Sequence, residues 1–318
     1  MYIAGMIIYS GKGFSTVQTL CNLFVNNAAL ICVACGMTVV MLTGGIDISV
    51  GSLVALDCMV LCYGMANWNL SAPVAVLLVV VIGLVMGLVQ GFLVGYLEIQ
   101  PFIVSMAGMF FARGMVSVIS TNQLSITADI NEAFYNFANF RITFPFGATI
   151  NRQGVAIYPY IRLGVVIAIV VLILTFLILR YTKFGRGLYA VGGSEQSAAM
   201  MGLNVKRTKM MAYVTCSLLT TLGGICFCMN GLMASTTTAD GFEMDAISSA
   251  VIGGTLLTGG VGNVIGSFFG VLINGTISAL VQTDGRLASS WPNILTAALL
   301  CIFIVLQSIF AKIKEKSK

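Results

Sequence analysis

The sequence has no histidine among its 318 residues, and only 8% of its residues are charged. Without histidine the commonest metal ligand and general base near neutral pH is missing, which argues against metal-dependent and acid–base enzymes. Soluble domains carry about 25% charged residues, so the low charge excludes an ordinary water-soluble domain. The net charge of +5 is scattered along the chain and does not indicate nucleic-acid binding.

Long apolar segments dominate the sequence. Hydrophobic residues make up 58% of the chain, and a helix needs about 20 consecutive apolar residues to cross a bilayer. The sequence therefore predicts an all-α polytopic membrane protein with a single transmembrane domain over residues 1–318. Spans are predicted near residues 21–42, 46–67, 73–97, 101–121, 162–180, 209–231, 247–258 with 263–283, and 288–310.

The nine cysteines all lie in apolar stretches, and metal or redox use would need partners that are absent. They are predicted to pack between helices, and we predict no metal site and no cofactor. The N-terminal stretch "MYIAGMIIYS" is about half a span long and lacks the features of a signal peptide. It predicts a short or truncated first helix over residues 1–10.

The basic residues indicate how the chain is oriented. Residues 180–209 carry six lysines and arginines against the single acid Glu195, and the tail "KIKEKSK" carries four lysines. Because short cytoplasmic loops are enriched in Lys and Arg, loop 181–208 and the C-terminus are predicted to be cytoplasmic. Alternating the spans then places residues 122–160 and 236–245 outside.

The stretch "LTGGIDISVGS" at residues 42–52 predicts a break between two helices. Tandem glycines end a helix, and Asp47 or Ser49 can cap the next one. Broken backbone at membrane depth must be buried in protein or line a wet cavity. Asp47 is therefore either a structural cap or a carboxylate that contacts a substrate or gates its pathway. The candidate pathway residues here are Gly44, Gly45, Asp47, Ser49, Gly51 and Ser52.

A second stretch, "LTGGVGNVIGS" at residues 257–267, repeats the first one with leucine, threonine, glycines and serine at the same spacing. Transporters often contain internal repeats whose interrupted helices meet at the substrate pathway. This makes Gly259 and Gly260 pathway candidates, although glycine-rich breaks also recur by coincidence.

Two further charges, Asp57 and Arg113, lie within predicted spans. Asp57 lies about 15 Å beyond Asp47 along the second helix. It is predicted to be paired with a cation such as Arg113, exposed to an aqueous path, or neutral in apolar surroundings. Arg113 needs a carboxylate, backbone carbonyls or the outer interface as its partner.

Four long motifs in unbroken order resemble the binding-protein-dependent monosaccharide ABC permeases of the ribose, galactose and galactofuranose group. They are "MLTGGIDISVGSLVAL", "QPFIVSMAGMFFARG", "YAVGGSEQSAAMMGLNV" and "GFEMDAISSAVIGGTLLTGGVGNVIGS". The similarity covers about residues 13–310 and is greatest to a galactofuranose-type permease subunit. It implies a type II importer fold with about nine to ten transmembrane helices, some of them interrupted. Asp57 departs from the family, in which a neutral residue is usual.

The motif "GGSEQSAAMMGLN" predicts a short helix over residues 195–201. Ser194 can cap its start, Glu195 favours its positive end, and Gly202 suits its C-terminal stop. The resemblance implies that this segment is the coupling helix, which docks on an ATPase; a solvated inner loop is the alternative. The candidate coupling residues are Ser194, Glu195, Gln196, Ala199, Met200 and Gly202.

The sequence does not supply an ATPase of its own. The phosphate-binding pattern G-x-x-x-x-G-K-[ST] is absent, since Gly11-Lys12 is followed by Gly13 and lacks the upstream glycine. The resemblance implies that the chain is the permease subunit of an ATP-driven monosaccharide importer and is not itself an enzyme, with the ATPase on a separate chain. Its expected partners are ATP-binding subunits, a second identical or different permease, an extracytoplasmic sugar-binding protein and membrane lipid.

An ion- or proton-coupled secondary transporter is the alternative function, with Asp47 and Asp57 as coupling sites. An intramembrane hydrolase is disfavoured, because histidine and the Gly-x-Ser-x-Gly motif are both missing. The sequence leaves the identity of the sugar open.

Overall fold

The computed structural model describes residues 2, 5, 6, 14, 16–145, 147, 149–150, 156–284 and 290–316. These residues form twelve helices and three small two-stranded sheets. The helices are α1 (Val17–Leu42), α2 (Val50–Ala66), α3 (Ala72–Gly95), α4 (Pro101–Ile119), α5 (Glu132–Ala138), α6 (Leu163–Tyr181), α7 (Lys183–Gly193), α8 (Glu195–Met200), α9 (Val205–Gly231), α10 (Phe242–Ile252), α11 (Val264–Asp284) and α12 (Trp291–Lys316).

Six of these helices are long and apolar enough to cross a membrane, namely α1, α3, α4, α6, α9 and α11. The apolar helix α2 and the apolar part of α12 are shorter. The all-helical prediction is confirmed for the spanning part of the chain, while nine to ten crossings stay a prediction. The predicted helix at residues 1–10 lies largely outside the described residues, as do the side chains of the lysine-rich tail.

Several helix boundaries differ from the sequence-based prediction: α1 begins at Val17 rather than at residue 21, and α10 covers Phe242–Ile252 rather than residues 247–258. At two other boundaries the reason is local. Helix α2 begins at Val50 rather than at residue 46, because residues 43–49 form the break. Helix α9 begins at Val205 rather than at residue 209, since Asn204 caps it by accepting a hydrogen bond from the backbone N–H of Arg207. A basic first turn therefore extends the apolar helix.

Helix α1 is the centre of the bundle and is buried along most of its length. It packs most extensively against α9, which also packs against α3. The closest approach uses a glycine: a side chain at Gly36 would come within 3.0 Å of the Cys216 carbonyl oxygen. Small residues at helix contacts suit a membrane protein, in which association depends on close van der Waals packing.

The small sheets lie in the connections between α4 and α6 and after α9. Strand β1 (Leu124–Ser125) pairs antiparallel with β6 (Met233–Ala234), with Leu124 opposite Ala234. Strand β2 (Arg141–Thr143) pairs with β5 (Tyr160–Arg162). The third sheet joins β3 (Thr149–Ile150) to β4 (Ala156–Ile157).

Residues 235–241 connect β6 to α10 without forming a helix or a strand. This connection returns into the bundle, because a side chain at Gly51 in the first turn of α2 would lie 3.2 Å from the Ala239 carbonyl oxygen and 3.1 Å from the Glu243 backbone nitrogen. We call residues 235–241 the re-entrant segment. It places the start of α10 beside the start of α2.

Candidate substrate pathway and coupling region

The predicted helix break is present at the tandem glycines. Helix α1 ends at Leu42, and Gly44 has a φ of 76°, a conformation that favours glycine. A side chain at Gly45 would lie 2.9 Å from the Tyr213 hydroxyl. One glycine therefore turns the chain, and the other allows α9 to pack against the turn.

Asp47 closes the turn that precedes α2. Its Oδ1 accepts hydrogen bonds from the Ser49 backbone N–H at 2.9 Å and from the Ser49 hydroxyl at 2.6 Å. Ser49 makes no side-chain capping bond of its own; its Oγ accepts a bond from Gln90 Nε2 on α3 at 2.9 Å. Of the two capping candidates, Asp47 is thus the one that binds a backbone N–H, and Ser49 links the break to α3.

The residues of the helix break are buried within the bundle in this structure. Asp47 and Ser52 are each only 1% exposed, and Gly51 packs against the Glu243 carboxylate at the start of α10. The Asp47 carboxylate therefore stabilises the turn in this conformation, while contact with a substrate requires the break to open.

The predicted pairing of Asp57 with Arg113 is wrong. Arg113 instead forms a salt bridge with Asp240 at 2.9 Å and donates hydrogen bonds to the carbonyls of Thr236 and Thr238 at 3.2 and 2.8 Å. Its guanidinium thus holds the re-entrant segment, which supplies both kinds of partner that Arg113 was expected to need.

Asp57 is fully buried, so it is not exposed to water in this chain. Neither of its carboxylate oxygens forms a hydrogen bond within the described residues. It packs against Gly224 of α9, where a side chain would come within 2.8 Å of Asp57 Oδ2. Of the three predicted environments, burial without a bonded cation is the one observed, with the Thr221 side chain beside the carboxyl group.

The two glycine motifs contact each other. The Gly260 backbone N–H donates to the Leu42 carbonyl at 2.9 Å, and Gly259 packs against Gly44. Gly259 and Gly260 both have positive φ angles, of 85° and 74°. Close backbone contact between the motifs explains why both of them are rich in glycine.

The predicted short helix is present as α8. The Ser194 hydroxyl accepts a bond from the Ser197 backbone N–H, and Gly202 has a φ of 81°, as expected for a helix stop. Glu195 forms an ion pair with Lys209 of α9. The C-terminal end of α8 projects outward, since Met200 is 82% exposed.

A cavity of about 490 Å³ lies between α8 and the adjoining ends of α3, α4 and α9. Gln196 and Ala199 line it together with Glu98 and Lys206, and these last two residues form an ion pair at 3.0 Å. This side of the molecule therefore combines an exposed short helix with charged helix ends.

Helix α7 connects this region to the helix break. A side chain at Gly192 would overlap both the Leu42 carbonyl oxygen and the Gly260 backbone nitrogen. The Tyr189 hydroxyl donates to the Gly262 carbonyl at 2.9 Å, and burial raises the pKa of this phenol, which keeps it a donor at neutral pH. The residues just before α8 thus touch both glycine motifs.

Comparison with known proteins identifies the family. A family described as a branched-chain amino acid transport system permease component matches residues 19–306. The chain belongs to this permease family. It is therefore the membrane component of an ABC transport system and not an enzyme.

Curated relatives resemble the permease over most of its length. The inner membrane ABC transporter permease protein YjfF of Escherichia coli K12 is 38% identical over 93% of this chain and 85% of its own. The fructose import permease protein FruG of Bifidobacterium longum is 37% identical over 95% and 87%, and the ribose import permease protein RbsC of E. coli K12 is 32% identical over 92% and 86%. No solved structure matches the chain.

Several residues around the permease's helix break were not anticipated from the sequence. Gln90, Gly192, Asp240 and Glu243 all contact residues of the predicted site. The polar Gln90 in the otherwise apolar α3 was a sequence signal that could have been used. The sequence contains no signal for Gly192, because its role depends on backbone contacts between segments far apart in sequence.

Proposed function

We propose that this permease is the membrane-spanning subunit of an ATP-driven, binding-protein-dependent monosaccharide importer of the inner membrane. The observation that carries the proposal is helix α8, which is short, capped at both ends and exposed on the basic side of the chain. The names of the related fructose and ribose import permeases support a sugar as the substrate.

The proposed arrangement keeps loop 181–208 and the C-terminus in the cytoplasm and residues 122–160 outside. A type II importer with nine to ten crossings would count α2, α12 and the shorter α10 with its neighbours in addition to the six long spans. ATP-binding subunits would dock on α8, a second permease would complete the pathway, and a binding protein would deliver the sugar.

The contacts support a direct route from the ATPase side to the helix break. Movement of α8 would displace Gly192, which packs against the Leu42 carbonyl and Gly260. These residues border the break that Asp47 and Ser49 stabilise. We propose that this displacement opens the break and exposes Gly44, Gly45, Asp47, Gly51 and Ser52 to the pathway.

Uptake by cells containing the complete transporter tests the function. Cells with and without this chain would be offered radiolabelled galactofuranose, ribose, fructose and galactose, and galactofuranose is the first candidate because of the sequence resemblance. We expect uptake of at least one sugar to require this chain. Depletion of ATP by arsenate should abolish it, whereas a protonophore should spare it while ATP lasts.

Two results would contradict the proposal. One is that deleting the chain changes the uptake of none of these sugars. The other is that the purified chain, alone in liposomes, accumulates a solute under an ion gradient, which would instead establish a secondary transporter.

A further inference from the structure

Helix α1 carries polar side chains where a spanning helix is expected to be apolar. Gln18, Asn22 and Asn26 follow one another at a spacing of four residues and so share one face. Asn22 and Asn26 are exposed, and Asn26 lies about 14 Å from the start of the helix. An amide at such depth faces water or a polar partner rather than lipid.

Asn26 borders a cavity of about 350 Å³ between α1, α9 and the re-entrant segment. Sites for small ligands range from about 300 to 1,000 Å³, so the cavity has room for one small molecule. The non-helical re-entrant segment packs against the first turn of α2, and such backbone is tolerated inside a membrane bundle where it lines a wet cavity. The polar and aromatic side chains of the lining are Asn26, Phe227, Asn230, Ser235, Thr237 and Thr238.

The hydrogen-bonding groups of this lining can both donate and accept. The Asn26 amide forms no hydrogen bond within the part of the chain that the structure describes, so its two donors and its acceptor remain available. Asn230 Oδ1 accepts a bond from Arg162, which leaves the Asn230 amide hydrogens for a ligand. Thr237 is exposed, and its hydroxyl lies 3.2 Å from that of Ser235.

The chemistry of the lining matches a sugar better than an amino acid. Sugar hydroxyls donate and accept like the amides and hydroxyls here, and the C–H face of a sugar ring can pack on Phe227. The Phe227 ring is itself fixed edge-on by Phe242 at 5.6 Å. None of the described lining residues is charged, so the ammonium and carboxylate of an amino acid would lack partners of opposite charge.

We propose that this cavity binds one monosaccharide during import, with Asn26 and Thr237 forming hydrogen bonds to its hydroxyl groups. The proposal rests on the proposed function and adds to it a site within the permease. Because a group left unpaired by a deoxy sugar loses a hydrogen bond, the site would discriminate among sugars that differ by one hydroxyl.

The test compares the imported sugar with its monodeoxy analogues in cells containing the complete transporter. One hydrogen bond contributes about 0.5–1.5 kcal/mol, so we expect the wild type to import at least one analogue about three- to tenfold more slowly. In Asn26→Leu and in Thr237→Val this ratio should fall toward one for one analogue each. The same binding protein serves every variant, so its own selectivity cancels in the comparison.

Asn136→Leu is the matched control, because Asn136 is exposed on α5 and does not line the cavity. It should keep the wild-type ratios. A general loss of stability would lower uptake of all analogues equally and leave the ratios unchanged, which is why the ratio is the readout.

The possible outcomes separate the two proposals. If the wild type imports a sugar, and both variants have the wild-type ratio of sugar uptake to deoxy-analogue uptake, the cavity is not a sugar site. The proposed function then still stands. If the variants shift the ratios and Asn136→Leu does not, the site is established. If no sugar uptake depends on the chain, the proposed function fails and the site fails with it.

Discussion

At the scale of single residues, the two buried carboxylates have different surroundings. Asp47 is tied to Ser49 by two hydrogen bonds, whereas Asp57 has no hydrogen-bond partner within the described residues. A buried polar group is tolerated when it is hydrogen-bonded, and a buried charge is costly without a partner. A substitution that cannot accept a hydrogen bond therefore breaks the turn at Asp47, whereas no such bond is broken at Asp57.

For Asp47 we expect Asp47→Asn to keep most of the uptake and Asp47→Leu to lose it. An amide oxygen can still accept from the Ser49 backbone N–H, whereas leucine leaves this buried donor unpaired at a cost of about 1–3 kcal/mol. Uptake should be measured after the amounts of the variants in the membrane are matched. Equal loss in both variants would mean that the negative charge, and not the turn, is what transport requires.

For Asp57 we expect Asp57→Asn to leave protein abundance and uptake within about twofold of the wild type. Asparagine has nearly the same shape, and without a bonded cation no buried charge is left unpaired. Breaking a buried ion pair would instead cost about 3–5 kcal/mol. A large drop in abundance that Arg113→Gln partly restores would therefore contradict the observed pairing of Arg113 with Asp240.

At the scale of elements, the helix break, the second glycine motif and α7 form one junction of backbones. Gly192 and Gly193 are neighbours in sequence but not in environment: a side chain at Gly192 would overlap the Leu42 carbonyl, whereas nothing lies within 4 Å of one at Gly193. This junction joins the helix that precedes α8 to the break.

Alanine substitutions at Gly192 and Gly193 test whether transport depends on the backbone contact of Gly192 or on glycine at either position. Gly192→Ala should reduce uptake at least tenfold, because Leu42 or Gly260 must move to admit the methyl group. Gly193→Ala should stay close to the wild type. Uptake normalised to membrane protein is the measurement, and similar behaviour of the two variants would show that the junction is not part of transport.

The elements that could be predicted from the sequence are those determined by residues close together in the chain. The spans follow from apolar length, the break from Gly44-Gly45, and α8 from Ser194 and Gly202. The partners of Arg113 did not follow, because Asp240 reaches it through a segment that re-enters the bundle. The cavity beside Asn26 did not follow either, since it requires α1, α9 and residues 235–241 to be brought together by the fold.

At the scale of the whole molecule, both ends of the proposed path are polar in different ways. The side with α8 carries ion pairs and the basic loop, and the cavity of Asn26 carries neutral amides and hydroxyls. Under the proposed function, the ATPase would bind on the side with α8, and the cavity of Asn26 would bind the uncharged sugar. This arrangement requires that α8 faces the cytoplasm.

The last prediction concerns this orientation. Gln196 on α8 and Asn136 on α5 are both exposed, and they lie on segments predicted to face opposite sides of the membrane. Single cysteines would be introduced at each position in a Cys301→Ser background, because Cys301 is the exposed cysteine while the other eight are buried. A membrane-impermeant thiol reagent applied to spheroplasts should label Asn136→Cys and should label Gln196→Cys only after permeabilisation. Since six lysines and arginines surround α8 against one acid, the opposite pattern would violate the charge asymmetry of membrane proteins. It would place α8 beyond the reach of a cytoplasmic ATPase and exclude import driven from that side.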